Sequence, residues 1–481
     1  MTRNTMRAVI FILLAVGTVA AQTITMSKKT GPPTTALTVS GTGFAAKAAI
    51  DIYFDTADEI LVIAGSTGAF TAAPVAVPAS AVPGNHWISA IQRSTGTGAQ
   101  AAFSVNTNWN QSHFGTRRRG SNPYENVLSP ATVGNLDLIW NFPLPIFSGD
   151  PVVVNGVVYF GSDDHNVYAV NAITGAQVWS FATGSSVEDS PMVANGVAYV
   201  GSGDGALYAL NATTGAKIWS YQTGGFITSS PLVVNNTVLF GSHDQSFYAL
   251  NAKTGAKVWS VPTKGLILGS PAVAGNVVYF GSDDHNVYAL NTATGAELWA
   301  FSTGNLVQGS PTIGNGVVYI GSADANFYAL NSTTGAMLWS VPLAANFSSP
   351  AFANNTVYVG ANSTLYALSA FSGAILWSQP FPGFVQSVSA ANGVVYSSTD
   401  QTVYAFNGTT GSILWSYTIG GPVSSSPTIV NGQVFLGSFS TGVYCFSLPA
   451  PPVANSSKPP APSSLHPDLN LKPWGGRRVA L

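Results

Sequence analysis

An eleven-residue pattern that returns about every forty residues constrains the fold of this chain more than any other feature. The pattern reads Ala-x-Asn-x-x-Thr-Gly-x-x-x-Trp, and its first complete copy is residues 169–179, AVNAITGAQVW. Further copies start at Ala209, Ala249, Ala289, Ala329, Ala367 and Ala405, and the copy at Ala367 carries Ser369 and Ser372 in place of Asn and Thr. A period of this length predicts one supersecondary unit used many times.

Residues 270–304 show what that unit is. The stretch SPAVAGNVVYFGSDDHNVYALNTATGAELWAFSTG divides at its turn residues into four β runs. Four antiparallel strands in about forty residues make one blade of a β-propeller. Pro271 at the start cannot donate to a ladder, so we expect the first strand to line the central channel, where a free edge is tolerated.

The tryptophan that ends each copy is predicted to be a core residue rather than a platform for a cofactor. It lies ten residues after the alanine, on the next strand of a tight hairpin, where it can pack against that small side chain. Burial of up to about 250 Å² at roughly 25 cal/mol/Å² stabilises the fold by several kcal/mol. The predicted docking tryptophans are Trp140, Trp179, Trp219, Trp259, Trp299, Trp339, Trp377 and Trp415.

This pattern resembles the tryptophan-docking motif of the quinoprotein, or pyrroloquinoline-quinone-type, β-propellers, and the resemblance covers residues 136–447. No Trp-Asp dipeptide occurs, which disfavours a WD-repeat propeller. The resemblance and the count of strands imply an all-β fold with an eight-bladed β-propeller of four-stranded blades.

The ring is expected to close through the two ends of the propeller. An orphan fourth strand lies around Trp140, LDLIWNF, and an orphan third strand lies around Cys445, GVYCFS. The N-terminal strand therefore completes the eighth blade, which leaves no open edge. Cys445 takes the small-residue position opposite Trp140, and we interpret it as a buried small hydrophobe rather than a reactive thiol.

Four other segments are predicted around the propeller. Residues 1–21 have the three regions of a secretory signal peptide, and residues 22–106 form six or seven short strands of a small sandwich. That sandwich, with GPPTTALTVSGTGF and the closing FSV, resembles the immunoglobulin-like modules of bacterial surface proteins. Residues 107–135 are expected to be an irregular linker, with a solvated basic cluster at residues 117–119. They resemble the lead-in of quinoprotein propellers. Residues 448–481 are Pro- and Ser-rich and are expected to be disordered.

Composition excludes some classes of partner. The chain has 17 basic and 19 acidic residues, a formal net charge of −2, and one cysteine. This balance offers no footprint for nucleic acid, and a lone cysteine cannot form an intrachain disulfide. We expect no transmembrane segment after signal removal, a secreted, periplasmic or cell-surface location, and a monomer.

The turns between the second and third strands collect most of the ionisable residues of the propeller. We expect them to share one face with the fourth-to-first connections, which carry Glu188, Asp189, Lys264, Gln308 and Gln386. Because Asp and His are also ordinary turn residues and recur at the same position, an architectural role is favoured over a ligand or metal site. The candidates on this face are Asp163, Asp164, His165, His243, Asp244, Asp283, Asp284, His285, Asp324 and Asp400.

Three functions remain open at this stage. An enzyme of the quinoprotein family would hold pyrroloquinoline quinone (PQQ) over a Trp floor beside a vicinal disulfide, with calcium and an Asp base. This chain has no Cys-Cys pair, and no catalytic, cofactor or metal residue can be carried over. We therefore predict a non-catalytic scaffold that binds an envelope or extracellular protein, similar to the propeller of the bacterial barrel-assembly lipoprotein but without its lipid-anchor cysteine. The alternatives are a PQQ- and calcium-dependent alcohol or sugar dehydrogenase and a glycan-binding surface protein.

Overall fold

The computed structural model describes residues 21–144, 149–345, 347–423 and 425–449. The predicted signal peptide, apart from Ala21, and the predicted tail beyond Pro449 lie outside these residues. The chain divides into two compact units between Val105 and Asn106. Among the described residues, no helix is long and apolar enough to cross a membrane.

The first unit consists of two sheets that share one hydrophobic core. Its strands are β1 Thr23–Met26, β2 Thr30–Gly31, β3 Ala36–Thr42, β4 Ala49–Phe54, β5 Ala57–Ile63, β6 Phe70–Ala76, β7 Gly84–Gln92 and β8 Gly98–Val105. The strand orders are β1-β3-β6 and β2-β8-β7-β4-β5. Val39 from the first sheet and Ile52 and Phe103 from the second lie in the same buried cluster. This alternation of inward apolar residues along the strands is what makes a two-layer β unit.

The second unit opens with irregular sequence and then repeats four-stranded sheets. It begins with β9 Ser121–Asn122, a 3-10 helix Val133–Asn135 and β10 Asp137–Phe142. Seven sheets follow in chain order. They are sheet 1 (β11 Val152–Val154, β12 Val157–Gly161, β13 Asn166–Asn171, β14 Gln177–Ala182), sheet 2 (β15 Met192–Ala194, β16 Val197–Gly201, β17 Ala206–Asn211, β18 Lys217–Gln222), sheet 3 (β19 Leu232–Val234, β20 Thr237–Gly241, β21 Ser246–Asn251, β22 Lys257–Pro262), sheet 4 (β23 Ala272–Ala274, β24 Val277–Gly281, β25 Asn286–Asn291, β26 Glu297–Ser302), sheet 5 (β27 Thr312–Gly314, β28 Val317–Gly321, β29 Asn326–Asn331, β30 Met337–Pro342), sheet 6 (β31 Ala351–Ala353, β32 Thr356–Ala361, β33 Thr364–Ser369, β34 Ile375–Pro380) and sheet 7 (β35 Ser389–Ala391, β36 Val394–Thr399, β37 Thr402–Asn407, β38 Ile413–Thr418).

Sheet 8 is assembled from both ends of this unit. It contains β39 Thr428–Val430, β40 Gln433–Ser438 and β41 Gly442–Ser447, and β10 pairs antiparallel with β41 as the fourth strand. The register places Trp140 opposite Cys445. Cys445 is buried, and burial raises the pKa of its thiol to about 12. The N-terminal strand thus joins residues about three hundred positions apart in the chain.

The sheets follow one another around a closed ring. The first strands of neighbouring sheets contact each other at β11–β15, β15–β19, β23–β27, β27–β31, β31–β35 and β35–β39, and β39 returns to β11. Ser230 and Ser270 connect sheets 3 and 4 through a hydrogen bond of 2.9 Å. First strands therefore lie innermost and fourth strands outermost, which is the arrangement of a β-propeller.

Each docking tryptophan joins its own sheet to the next one. Trp179 lies opposite Ala169 in the strand register, but its indole N–H donates to the carbonyl of Ala212 in sheet 2 at 2.9 Å. Gly215, with φ of 74°, lies against the ring, and a β-carbon there would lie 2.8 Å from it. The expected contact with alanine is therefore incomplete, because a glycine of the next repeat also receives the ring. This glycine satisfies both the turn and the close approach.

Candidate functional site

The aspartate at the second position of the turn between the second and third strands bridges neighbouring sheets. In sheet 2, the Asp204 carboxylate accepts from the backbone N–H of Gly184 in the preceding connection and from the Tyr208 hydroxyl, both at 2.7 Å. The equivalent residues in sheets 3, 4 and 5 make the same pair of hydrogen bonds. We call these four residues the bridging aspartates: Asp204, Asp244, Asp284 and Asp324.

The electrostatics of the bridging aspartates fit a structural role. Burial acts to raise the pKa of Asp284, but hydrogen bonds from Lys264, Tyr288 and Asn286 outweigh it and hold this pKa below its usual range. The paired tyrosines respond in the opposite sense. Burial, followed by the hydrogen bond to Asp244, raises the pKa of Tyr248 to about 12. Carboxylates whose lone pairs are engaged by two donors are stabilised as anions but are poorly placed to bind a ligand.

The structure places the other candidates of this face as separate turn residues. Asp164 accepts from the Tyr168 hydroxyl at 2.7 Å within its own sheet. His165 and His285 are exposed and hold φ near 70°, as Gln245 does in the same position of sheet 3. A left-handed conformation at a fixed turn position is an architectural requirement that residues other than histidine also meet.

The remaining candidates lie at separate turns of different sheets. His243 lies 2.9 Å from the Thr228 hydroxyl, and Asp283 accepts from Gln308 at 3.4 Å. Asp163 occupies the same position as Asp283 in sheet 1. Asp400 is exposed in a shorter turn of sheet 7. In the described parts of the chain, no group of three or more His, Cys, Asp or Glu side chains is arranged to hold a metal ion.

Sequence reasoning missed Asp204 and misplaced Asp189. Asp204 lies forty residues after Asp164 and before Asp244, so alignment of the repeats would have found it. Asp189 was expected on the turn face, but it is buried, and its carboxylate accepts from the Gly201 N–H at 2.7 Å. Burial raises the pKa of Asp189 well above its usual range.

The irregular lead-in occupies the centre of the ring. Residues 109–122, which we call the central segment, hydrogen-bond through their backbone to the inner edges of the first strands. Trp109 exchanges two backbone bonds with Val153 of β11. Backbone carbonyls of the segment accept from Val193, Val273, Ile313, Phe352 and Ala390, in β15, β23, β27, β31 and β35. The expectation of free inner edges is wrong, because the chain itself pairs with them and satisfies their donors.

Arg118 connects this segment to sheet 3, which its backbone does not reach, and adds a side-chain contact to sheet 4. Its guanidinium donates to the carbonyl of Pro271 at 2.7 Å and to that of Ser230 at 3.3 Å. The side chain is only 2% exposed, so the expected solvated cluster at residues 117–119 is wrong for its middle residue. Burial lowers the pKa of Arg118 to about 10, which leaves the group charged at neutral pH.

A ladder of side chains surrounds the same centre. In sheets 2 to 5, the serine before the first-strand proline accepts from the backbone N–H of the residue forty positions earlier: Asp150 to Ser190, Ser190 to Ser230, Ser230 to Ser270 and Ser270 to Ser310. The carboxylate of Asp150 accepts from Ser426 at 2.6 Å and so joins sheet 8 to sheet 1. The centre is thus a polar, hydrogen-bonded structure rather than an open channel.

His113 is a buried histidine whose titration should make the stability of the protein depend on pH. Its Nε2 atom lies 3.2 Å from the Ser426 hydroxyl. Burial, assisted by the charge of Arg118 and opposed by Asp150, lowers the pKa of His113 to about 4. The pKa of His113 in the folded protein lies below its unfolded value of about 6.5. The neutral imidazole therefore makes its full contribution to stability above pH 6.5, and this contribution is lost as the pH falls towards 4.

We expect the H113Q variant to lose less stability than the wild type between pH 6.5 and 4. The slopes of the two curves should differ by about 1.4 kcal/mol per pH unit near the middle of this window, where the unfolded histidine binds a proton and the folded one does not. Urea unfolding at pH 8, 6.5, 5 and 4 measures it. The exposed His165 provides the control, because H165Q should follow the wild-type curve. Parallel curves for wild type and H113Q would contradict a buried neutral imidazole.

The ring, its repeats and its docking tryptophans define a β-propeller built from PQQ-type repeats. The PQQ_2 family model, described as "Outer membrane protein assembly factor BamB", matches residues 84–265, 243–350 and 342–446. These matches cover more than half of the chain, and the chain therefore belongs to this family. A search of curated proteins found no match.

Solved structures agree with this class. The quinohemoprotein alcohol dehydrogenase ADHIIG of Pseudomonas putida HK5 is 17% identical with a TM-score of 0.64, covering 72% of this chain and 82% of its own. BamB of Moraxella catarrhalis is 20% identical with a TM-score of 0.56, covering 65% and 99%. The computationally designed Ika8 protein is 18% identical with a TM-score of 0.60, covering 64% and 99%. At these identities the similarity shows the fold, so the predicted PQQ-type β-propeller is confirmed.

Proposed function

We propose that this protein is a non-catalytic β-propeller scaffold of the cell envelope or the exterior, which binds a protein partner through its outer surface. The observation that carries the proposal is the central segment. It fills the space between the first strands and commits Arg118, His113 and Asp150 to internal contacts. A ligand in the channel would have to displace backbone hydrogen bonds to most of the inner strands, which is costly.

The proposed architecture is an eight-bladed ring with an immunoglobulin-like module before it. Eight sheets within the described part of residues 106–449 support the number of blades: seven have four strands, with β10 completing the last, and sheet 7 gains β9 as a fifth strand beside β35. The sheets of three and five strands in the first unit support a sandwich. Both BamB and quinoprotein dehydrogenases share the fold, so the fold alone does not select between scaffold and enzyme.

The quinone alternative does not fit the residues at the centre. A quinone held in the channel would need the space that residues 109–122 occupy. The vicinal disulfide that the family resemblance implies cannot form, because Cys445 is the one cysteine of the sequence. We therefore assign no residue to PQQ or calcium and derive no reaction step through them.

The outer strands offer a surface for a protein partner. In sheets 1 to 6, the residue before each docking tryptophan is an aliphatic side chain that is about half exposed: Val178, Ile218, Val258, Leu298, Leu338 and Leu376. It is the extra residue of a β-bulge in each sheet. Bulges hinder the addition of a further strand to an edge, so a partner would contact side chains instead.

One experiment with two measurements tests the proposal. The purified full chain is titrated with PQQ and calcium, and absorbance and dye-linked oxidation of alcohols and sugars are followed. We expect no stoichiometric spectral change and no turnover. In parallel, L376D and the control S378D on the same strand are compared with wild type in capture from the envelope fraction of the source organism. A partner lost only with L376D supports the scaffold, whereas quinone binding with turnover would overturn it.

A further inference from the structure

The bridging aspartates end with sheet 5, and a break in the same pattern at sheet 7 releases one carboxylate. The backbone N–H of Thr183 donates to the carbonyl of His165, and the N–H of Phe381 donates to that of Ser363 in the same way. Thr183 and Phe381 are therefore equivalent, and the next residues, Gly184 and Pro382, are equivalent as well. Gly184 supplies the N–H that holds a bridging aspartate, but proline has no N–H to donate.

Asp400 is the carboxylate that this break leaves free. It lies in the two-residue turn between β36 and β37, where Thr399 pairs with Thr402, and its φ is 39°. This turn is shorter than in sheets 1 to 5, and the Asp400 carboxylate lies against Gly383, where a β-carbon would overlap it. Among the described residues, the Asp400 side chain has no hydrogen-bond partner, and it is exposed to solvent.

A cavity of about 480 Å³ opens beside Asp400 on the turn face of the ring. This volume falls in the range of about 300–1,000 Å³ typical of small-molecule sites. Its lining residues include Thr402, Thr418, Gln401 and Tyr404, with Pro382 and Pro422 also in the wall, and the hydroxyls of the two threonines lie 3.4 Å apart. None of the lining residues is basic.

Aromatic side chains stand on the connections that border this cavity. Phe384, two residues after Pro382, is 60% exposed. Phe439 donates its backbone N–H to the carbonyl of Pro422, and its side chain is 47% exposed. Both rings are therefore accessible to a ligand that presents an apolar face.

We propose that this cavity binds a neutral carbohydrate unit. An ionised carboxylate only accepts hydrogen bonds, and sugar hydroxyls donate them. Threonine hydroxyls and the glutamine amide complete a polar set that can both donate and accept, and the aromatic rings can cover the C–H face of a pyranose. Because the lining carries the Asp400 carboxylate and no basic residue, the cavity repels phosphates and uronic acids. The site therefore selects uncharged sugars, and its function is separate from the proposed protein scaffold.

The test uses the full chain and isothermal titration with maltotriose, cellotriose, mannotriose and chitotriose, with trigalacturonate as the anionic comparison. We expect one or more neutral trisaccharides to bind and trigalacturonate not to bind. D400N should weaken binding on the order of tenfold, because it removes a charged acceptor. G383A should weaken binding as well, because its added β-carbon displaces the Asp400 carboxylate. Gly383 does not have a left-handed φ, so alanine causes no backbone strain there. D283N, on the regular turn of sheet 4, is the matched control and should bind as wild type does.

Circular dichroism melting shows whether each variant is folded before its affinity is compared. Absence of binding by every neutral trisaccharide overturns the proposal. So does binding that D400N and G383A leave unchanged, or that D283N weakens equally. Calcium binding that depends on Asp400 without sugar binding also overturns it. The scaffold proposal survives any of these results, because its test concerns quinone binding and the outer strands.

Discussion

The R118L variant is expected to lose about 3–5 kcal/mol of apparent unfolding free energy, the loss typical of breaking a buried charged network. The physical reason is the set of backbone carbonyls that the guanidinium satisfies. Those of Pro271 and Ser230 lie in two different sheets, and that of Ser112 lies in the central segment at 3.5 Å. Leucine fills part of the volume but donates nothing, so buried acceptors lose their partner.

Urea unfolding followed by tryptophan fluorescence measures this effect, and the neighbouring arginine is the matched control. Arg117 is exposed, and its backbone carbonyl still accepts from Ile313 after substitution. R117L should therefore remain within about 0.5 kcal/mol of wild type. R118K should fall between the two, because lysine keeps the charge but lacks the planar fork of donors. Equal losses for R117L and R118L would show that Arg118 does not hold the centre together.

The W140A variant is expected to lose about 3–5 kcal/mol as well and to release the closing strand of sheet 8. The indole N–H of Trp140 donates to Ala172 of sheet 1 at 3.1 Å, and its ring lies against Gly175. No turn connects β10 to β41, so their pairing depends on contacts alone. In the other sheets, a short hairpin keeps the third and fourth strands together when the tryptophan is removed.

Hydrogen exchange read by mass spectrometry distinguishes loss of closure from a general loss of stability. We expect the amides of β10 and β41 to exchange faster in W140A while the central sheets keep their protection. W259A in sheet 3 is the comparison, because it removes the same ring from a sheet whose strands are consecutive. It should destabilise the protein without selective exposure of β10. A similar exchange pattern in both variants would contradict a special role for the closing strand.

Much of the propeller could be predicted from its sequence because the determining interactions repeat. The Thr-Gly turn, the small residue and the tryptophan lie within eleven positions, and every copy needs the same local geometry. The opposition of Trp140 and Cys445 follows from the same pattern, since the incomplete copies at the two ends supply complementary strands. The left-handed backbone of His165 and His285 is equally local, because the turn requires a positive φ at that position.

The central segment could not be predicted in this way. Its contacts to the inner strands are backbone hydrogen bonds, which leave no pattern of side chains. Three consecutive arginines look alike in sequence, and only the path of the chain between the sheets buries the middle one. The same limit applies to Asp400, which resembles the bridging aspartates by residue type. Its freedom depends on Pro382, eighteen positions away in the connection that follows sheet 6.

The sequence alone therefore determined the repeating unit, its core tryptophans and the partners that close the ring, because each is a short-range requirement copied along the chain. The tertiary structure decided what lies at the centre and which carboxylate stays free. Both depend on where the chain passes relative to sheets that are distant in sequence, and backbone donors and acceptors look the same at every residue until the fold brings them together.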